Sequence, residues 1–229
     1  MPAAASVFSL RYWFRAPVLR ALARQLYFSG LESLVLVVLI GLAVGAIIVS
    51  QLHFGIGQSG AETLRFMASL LLSELAPLLT ALILIARSSS AMASELAAMR
   101  VNNEIWMLQQ FGVSPPHYLM LPRILGMLVA SVLLTTYLIL AALLFGALLV
   151  SGANAVGELA LLGDVLLLST VVGGLVKTAL FGLVVAFIAC WTGLRAGGAM
   201  TEIPRAASRA VVRSLLTVFV LDALWGWLR

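Results

Sequence analysis

From Ser33 to Ala61, and again from Ile124 to Gly157, the chain carries no Asp, Glu, Lys or Arg. A hydrocarbon core about 30 Å thick needs about 20 mainly apolar residues per crossing helix. A helix is the economical way across, because it satisfies its own backbone N–H and C=O groups where no water can. Each run is long enough for one crossing and a loop. The rest of the sequence agrees: 62% of residues are hydrophobic and 10% charged, against roughly 45–50% and about 25% in soluble domains. The chain therefore reads as a multi-spanning membrane protein held together by helix packing. Its one cysteine, Cys190, excludes an internal disulfide.

The hydropathy pattern predicts five spans, at 33–50, 64–86, 122–150, 165–189 and 207–228. Residues 1–32 precede them and residues 88–121 interrupt them. In the leading segment Phe8, Leu10, Tyr12, Trp13 and Phe14 alternate with Arg11 and Arg15, and Leu19, Leu22 and Leu26 alternate with Arg20 and Arg24. That alternation predicts an amphipathic arm lying in the membrane interface, broken at Pro17. A cleaved signal peptide would carry an apolar stretch of about 7–15 residues, much shorter than the first run. The fold class is thus all-α integral membrane, one domain over 1–229, with no internal repeat.

Arginine sets the orientation. Arg11, Arg15, Arg20 and Arg24 lie before the first span, Arg87, Arg100 and Arg123 flank or occupy the 88–121 insert, and Arg195, Arg205, Arg209 and Arg213 lie around the fourth-to-fifth connection. The opposite loops, 51–63 and 151–164, hold Glu62, Glu158 and Asp164 and no Lys or Arg. Positive-inside bias then predicts a cytoplasmic N-terminus and insert, with the C-terminus on the other face. It also accounts for the pI near 10, which is a topology signal here and no sign of nucleic-acid binding.

The insert is the polar feature of this greasy chain. Arg87, Glu95, Arg100, Glu104 and Arg123 alternate in sign, and Glu95, Met99 and Asn102 or Asn103 fall at three- and four-residue steps, as on one helix face. Gly112-Val113-Ser114-Pro115-Pro116 then breaks the helix before re-entry. A connection of about 35 residues usually has a function of its own, so the insert predicts a docking helix.

Several chemistries are absent. A phosphate-cradling loop must end Gly-Lys-Ser/Thr, but the only lysine sits in Gly173-Gly174-Leu175-Val176-Lys177-Thr178, where valine replaces the glycine inside a span. The two histidines, His53 and His117, are predicted on opposite faces, so they cannot share a metal, and no span offers a histidine base to a nucleophile. No catalytic residue, metal or cofactor is expected. Arg209 and Arg213, early in the fifth span, can snorkel to the interface, which leaves Glu74, Lys177 and Asp222 as the intramembrane charges that need partners. Charge in hydrocarbon must face a partner or water, so they read either as a polar lining of a substrate path or as interhelical ion pairs.

At these residues the chain resembles the MlaE permeases, the membrane subunits of ABC-type systems that move phospholipids between bacterial inner and outer membranes. The similarity lies in Glu74-Leu75-Ala76-Pro77, Ala86-Arg87, Ser94-Glu95-Leu96-Ala97-Ala98-Met99-Arg100-Val101, Ile105, Leu108, Gly112-Val113, Pro115, Tyr118-Leu119 and Pro122-Arg123. It extends to Arg24-Gln25-Leu26-Tyr27 and to Pro204-Arg205-Ala206-Ala207-Ser208-Arg209-Ala210-Val211-Val212, leading to Asp222. The chain departs where the family usually has glycine, at Ala86, Ser89 and Ala97, and where Asn102-Asn103-Glu104-Ile105-Trp106 replaces Thr-Glu-Gln-Ile-Asp.

The resemblance implies a homodimer in the bacterial inner membrane. The insert becomes a coupling helix between spans 2 and 3 that meets a cytoplasmic ABC ATPase through Glu95, Met99, Arg100, Glu104, Ile105 and Leu108. A periplasmic MCE-domain protein, and optionally a small STAS-type subunit, complete the implied assembly. Phospholipid would enter an apolar cavity lined by Ile48, Leu52 and Phe54 and by the outer half of the last span. Arg87 and Arg123 mark the interface, and the permease itself has no ATP site. A stand-alone secondary carrier using Glu74, or a lipid-modifying membrane enzyme, are the competing readings.

Overall fold

The structure, a computed structural model, describes residues 30, 32–55, 57, 59–112, 116–152, 157 and 168–227. The predicted interfacial arm, Glu158 and Asp164 and the side chain of Phe54 lie outside the described residues. All regular structure among the described residues is helical, and five helices are long and apolar enough to cross a membrane.

Helix α1, Glu32–Val49, opens the bundle and runs on through a wide turn over Ser50–Gly55. Helix α2 spans Gly60–Val101, 42 residues. Ser59 caps it, its hydroxyl accepting from the Glu62 amide, and Glu62 sits in the first turn where the helix dipole favours an acid. Helix α2 therefore exceeds the predicted 64–86 span and carries residues 88–101 of the insert with it. No Gly or Pro interrupts Ala86 to Arg100, and the Ser90 hydroxyl bonds back to the Ala86 carbonyl at 2.8 Å, so nothing stops the helix at the span boundary. Instead it loosens into wide, π-type turns at Leu71–Leu75 and Ile85–Ser89. It ends where Asn103 adopts φ 60°, a left-handed conformation that asparagine tolerates better than most residues.

A seven-residue helix α3, Glu104–Gln110, follows, and Gly112 at φ 74° turns the chain away. After a wide turn at Pro116–Met120 comes α4, Leu121–Ser151, then α5, Leu168–Leu194, and α6, Glu202–Trp227.

Helix α1 packs along α4, α4 along α5, and α5 against both α6 and the insert end of α2. The main core runs down their shared axis through Leu64, Met67, Leu71, Leu84, Met127 and Phe181. Small residues let backbones touch: a Cβ on Gly45 would lie 2.5 Å from the Ala142 carbonyl oxygen, and one on Gly174 would lie 2.3 Å from that of Leu72. Close contact of this kind holds helices together where lipid removes the hydrophobic drive. The outward faces are apolar, with Leu39 and Ile47 on α1, Leu140 and Leu144 on α4, and Phe219 and Val220 on α6 all exposed. That inverts a soluble protein and suits a hydrocarbon solvent.

Candidate functional site

Two constellations stand out, one within the bundle and one at its insert end. Inside, α2, α5 and α6 each contribute a charge to one point. Lys177 has no exposed surface; its Nζ lies 2.5 Å from Glu74 Oε2 and 2.7 Å from Asp222 Oδ1, and it donates to the Ser73 carbonyl at 3.2 Å. The Phe181 ring covers the ammonium at 5.9 Å. Gly174, one turn before Lys177, makes this reach possible, because its bare Cα lets α5 close on the Leu72 carbonyl. Of the two readings open from sequence, interhelical ion pairing is therefore the one the geometry displays. The ammonium meets two carboxylates and a carbonyl, which offsets the cost of taking it out of water. Glu74 remains 43% exposed while its partner is sealed, so the triad has one accessible edge.

At the other end, α3 folds back under α2. Ile105 is buried with Leu96, Leu119 and Cys190, and Met99 and Leu108 pack against that cluster. Arg123, near the start of α4, donates to Glu95 Oε2 at 2.9 Å and reaches the Met92 carbonyl at 3.4 Å. Opposite the buried side, Trp106, Met107 and Phe111 are exposed by 59%, 53% and 82%. A groove of about 340 Å³ runs beside them, lined by Arg100, Asn103, Trp106 and Gln109 and by the α5–α6 connection at Ala196, Gly197 and Gly198.

The structure thus separates the six residues expected to couple to an ATPase. Arg100 and Glu104 are exposed, Ile105, Leu108 and Met99 point into the protein, and Glu95 is engaged by Arg123. Arg87, at the membrane edge of α2, donates to the Ser33 hydroxyl of α1 at 3.4 Å. Of the cavity candidates, Ile48 packs against the main core and Leu52 is half-buried in the turn after α1.

Sequence reasoning passed over four features. Arg65 lies exposed near the start of α2, a basic residue on the face expected to be acidic. It was hidden because it falls one residue inside the predicted span. The outward set Trp106, Met107 and Phe111 is apolar like the inward set, and a seven-residue helix that starts afresh after Asn103 gives no phase to tell them apart. Glu202 also gathers Arg205, at 3.0 Å, and Arg209 at the start of α6, and the Arg195 guanidinium stacks 3.9 Å above Trp191. Among the described residues no group of three or more His, Cys, Asp or Glu could hold a metal ion.

A family model, Permease MlaE, matches residues 22–228. The chain belongs to the MlaE permease family. Similar proteins include a probable ABC transporter permease of Rickettsia typhi, 28% identical over 211 residues that cover 90% of this chain and 82% of that protein. A probable ABC transporter permease of Synechocystis sp. is 29% identical over 209 residues, 89% of this chain and 80% of the relative. The intermembrane phospholipid transport system permease protein MlaE of Haemophilus influenzae is 27% identical over 207 residues, covering 88% and 79%. Membership carries with it the class of transporter subunit, and with the five apolar helices it makes the chain a multi-pass inner-membrane protein.

Proposed function

We propose that this chain is the permease of an ATP-driven system that moves phospholipid between the inner and outer membranes. It receives force from a cytoplasmic ABC ATPase through α3 and the groove beside it. The observation that carries the reading is the two-sidedness of α3: a short helix anchored from within by Ile105 and Leu108 that still turns Trp106 and Met107 outward, next to Arg100 and Glu104. Large exposed apolar residues rimmed by polar ones mark interaction sites, and a helix rigidly seated between two spans can pass a push to both. The ATPase would press on Trp106, Met107, Arg100 and Glu104, while Ile105, Leu108 and Met99 carry the load inward.

The arginine bias supports a cytoplasmic insert and N-terminus and a periplasmic C-terminus. The family resemblance supports a homodimer, a periplasmic MCE-domain partner and, in some assemblies, a small STAS-type subunit. Phospholipid acyl chains would occupy an apolar cavity between protomers near Ile48, Leu52 and Phe54. No covalent step on the lipid is required: binding two acyl chains needs apolar surface, and collapse of that surface on ATP-driven closure expels them.

Intact-mass measurement of the gently purified assembly tests the reading. A bound P-loop ATPase and co-purified phospholipid are expected, and Trp106→Asp with Met107→Asp should release the ATPase while the permease still inserts. An assembly with neither ATPase nor phospholipid overturns it.

A further inference from the structure

We propose that Arg123 and Glu95 form a strap that fixes the base of α3 to both α2 and α4, so that Glu95 is a positioning residue for energy coupling and not a contact for the partner. The proposal rests on the reading of α3 as the dock. The family resemblance puts Glu95 among the residues that would meet the ATPase, as an exposed acid available to a partner. The structure gives that acid a mate within the chain, 28 residues away on the next span, at 2.9 Å. Glu95 is 65% exposed, but Arg123 is only 16% exposed, and its guanidinium also reaches the Met92 carbonyl one turn earlier. One arginine, near the start of α4, thus holds α2 at two points.

The strap adjoins the apolar seat of α3. Leu96 follows Glu95 directly and packs with Ile105, while Leu119 precedes Arg123 by one turn and joins the same cluster. The apolar cluster resists compression of α3 toward the bundle, but greasy contacts slide. An ion pair with a second hydrogen bond fixes register, the role in which charge pairs contribute most beyond bare stability. With the strap intact, a push on α3 displaces α2 and α4 together. Without it α3 still docks, but α2 moves past α4 and part of the stroke is lost.

The test compares wild type, Glu95→Gln, Arg123→Gln and the charge-swapped pair Glu95→Arg with Arg123→Glu. Each is purified as the complete assembly and reconstituted with a fluorescent phospholipid. For both single variants the strap predicts ATPase association within about twofold of wild type and phospholipid moved per ATP hydrolysed lowered about three- to tenfold, with the swap returning most of the loss. A defect of folding alone would lower the amount of assembly and not that ratio. A second arm needs no partner: in the isolated permease, amide exchange over residues 102–112 should speed up about three- to tenfold in the single variants and slow again in the swap. Loss of ATPase binding in Glu95→Gln that the swap fails to restore would make Glu95 a direct contact and overturn the strap. Unchanged exchange in the single variants would overturn it equally. A wild-type assembly that binds no ATPase would instead overturn the docking reading, and the exchange arm still decides whether the strap exists.

Discussion

The triad at Lys177 and the pair at Arg123 are built from the same chemistry and stand for opposite things. Both join an acid on α2 to a base on a later helix at hydrogen-bond distance. Lys177 is sealed from solvent and shared by two carboxylates, whereas the acid of the second pair is mostly exposed. Burial decides what each is for. In the bundle a lone charge is so costly that its partners become obligatory, and the triad locks α2, α5 and α6 into one arrangement. At the insert end water screens the pair, its contribution to stability is small, and what it can still supply is register.

Removing the ammonium should separate the two regions most sharply. Lys177→Met leaves Glu74 and Asp222 facing each other without a cation, and we expect a loss of about 3–5 kcal/mol, toward the lower end because Glu74 is partly exposed. Thermal unfolding in detergent would register it. Neutralising all three positions, with Glu74→Gln and Asp222→Asn added, should recover most of that loss, since a buried pair replaced whole costs far less than a pair broken. If the triple variant were as unstable as the single one, the triad would be holding more than its own charges.

Next in size is the seat of α3. Leu96→Ala should cost about 2–4 kcal/mol as a cavity at the junction of Ile105, Leu119 and Cys190, and exchange at α3 should rise before the bundle itself opens. Gly174→Val should cost about 1–3 kcal/mol by driving α5 off the Leu72 carbonyl. It should also lengthen the Lys177 contacts, visible as a lowered melting temperature that Lys177→Met no longer adds to in full. The smallest stability effects belong to the outward face: Trp106→Asp should stay within about 0.5 kcal/mol of wild type yet abolish ATPase retention on a size-exclusion column. A large stability loss there would mean that Trp106 belongs to the core.

Much of this was legible from residue order. Charge-free runs of sufficient length give spans wherever they occur, and Glu74, Lys177 and Asp222 declare themselves as charges within apolar spans. That they meet at one point was not legible, since it depends on Gly174 and on the relative rotation of three helices. The boundary between span and insert was placed by hydropathy at Ala86, but a helix ends where its backbone must turn, and the first residue that turns it is Asn103. Polarity and helicity change at different places along α2, which is why α2 outruns its apolar part. The inward and outward faces of α3 were the least legible: Ile105, Trp106, Met107 and Leu108 are all apolar, and seven residues give too short a period to read.

If the chain is the proposed permease, phospholipid moves because an ATPase pushes on it. Proteoliposomes holding the permease, with and without its co-purified ATPase, would be loaded with a fluorescent phospholipid and supplied in turn with ATP and with a pH gradient. Movement that requires both the ATPase and ATP, and ignores the gradient, is the predicted result. Movement that follows the gradient without ATP and disappears in Glu74→Gln would contradict it, and would make the triad the engine and the insert a mere connection.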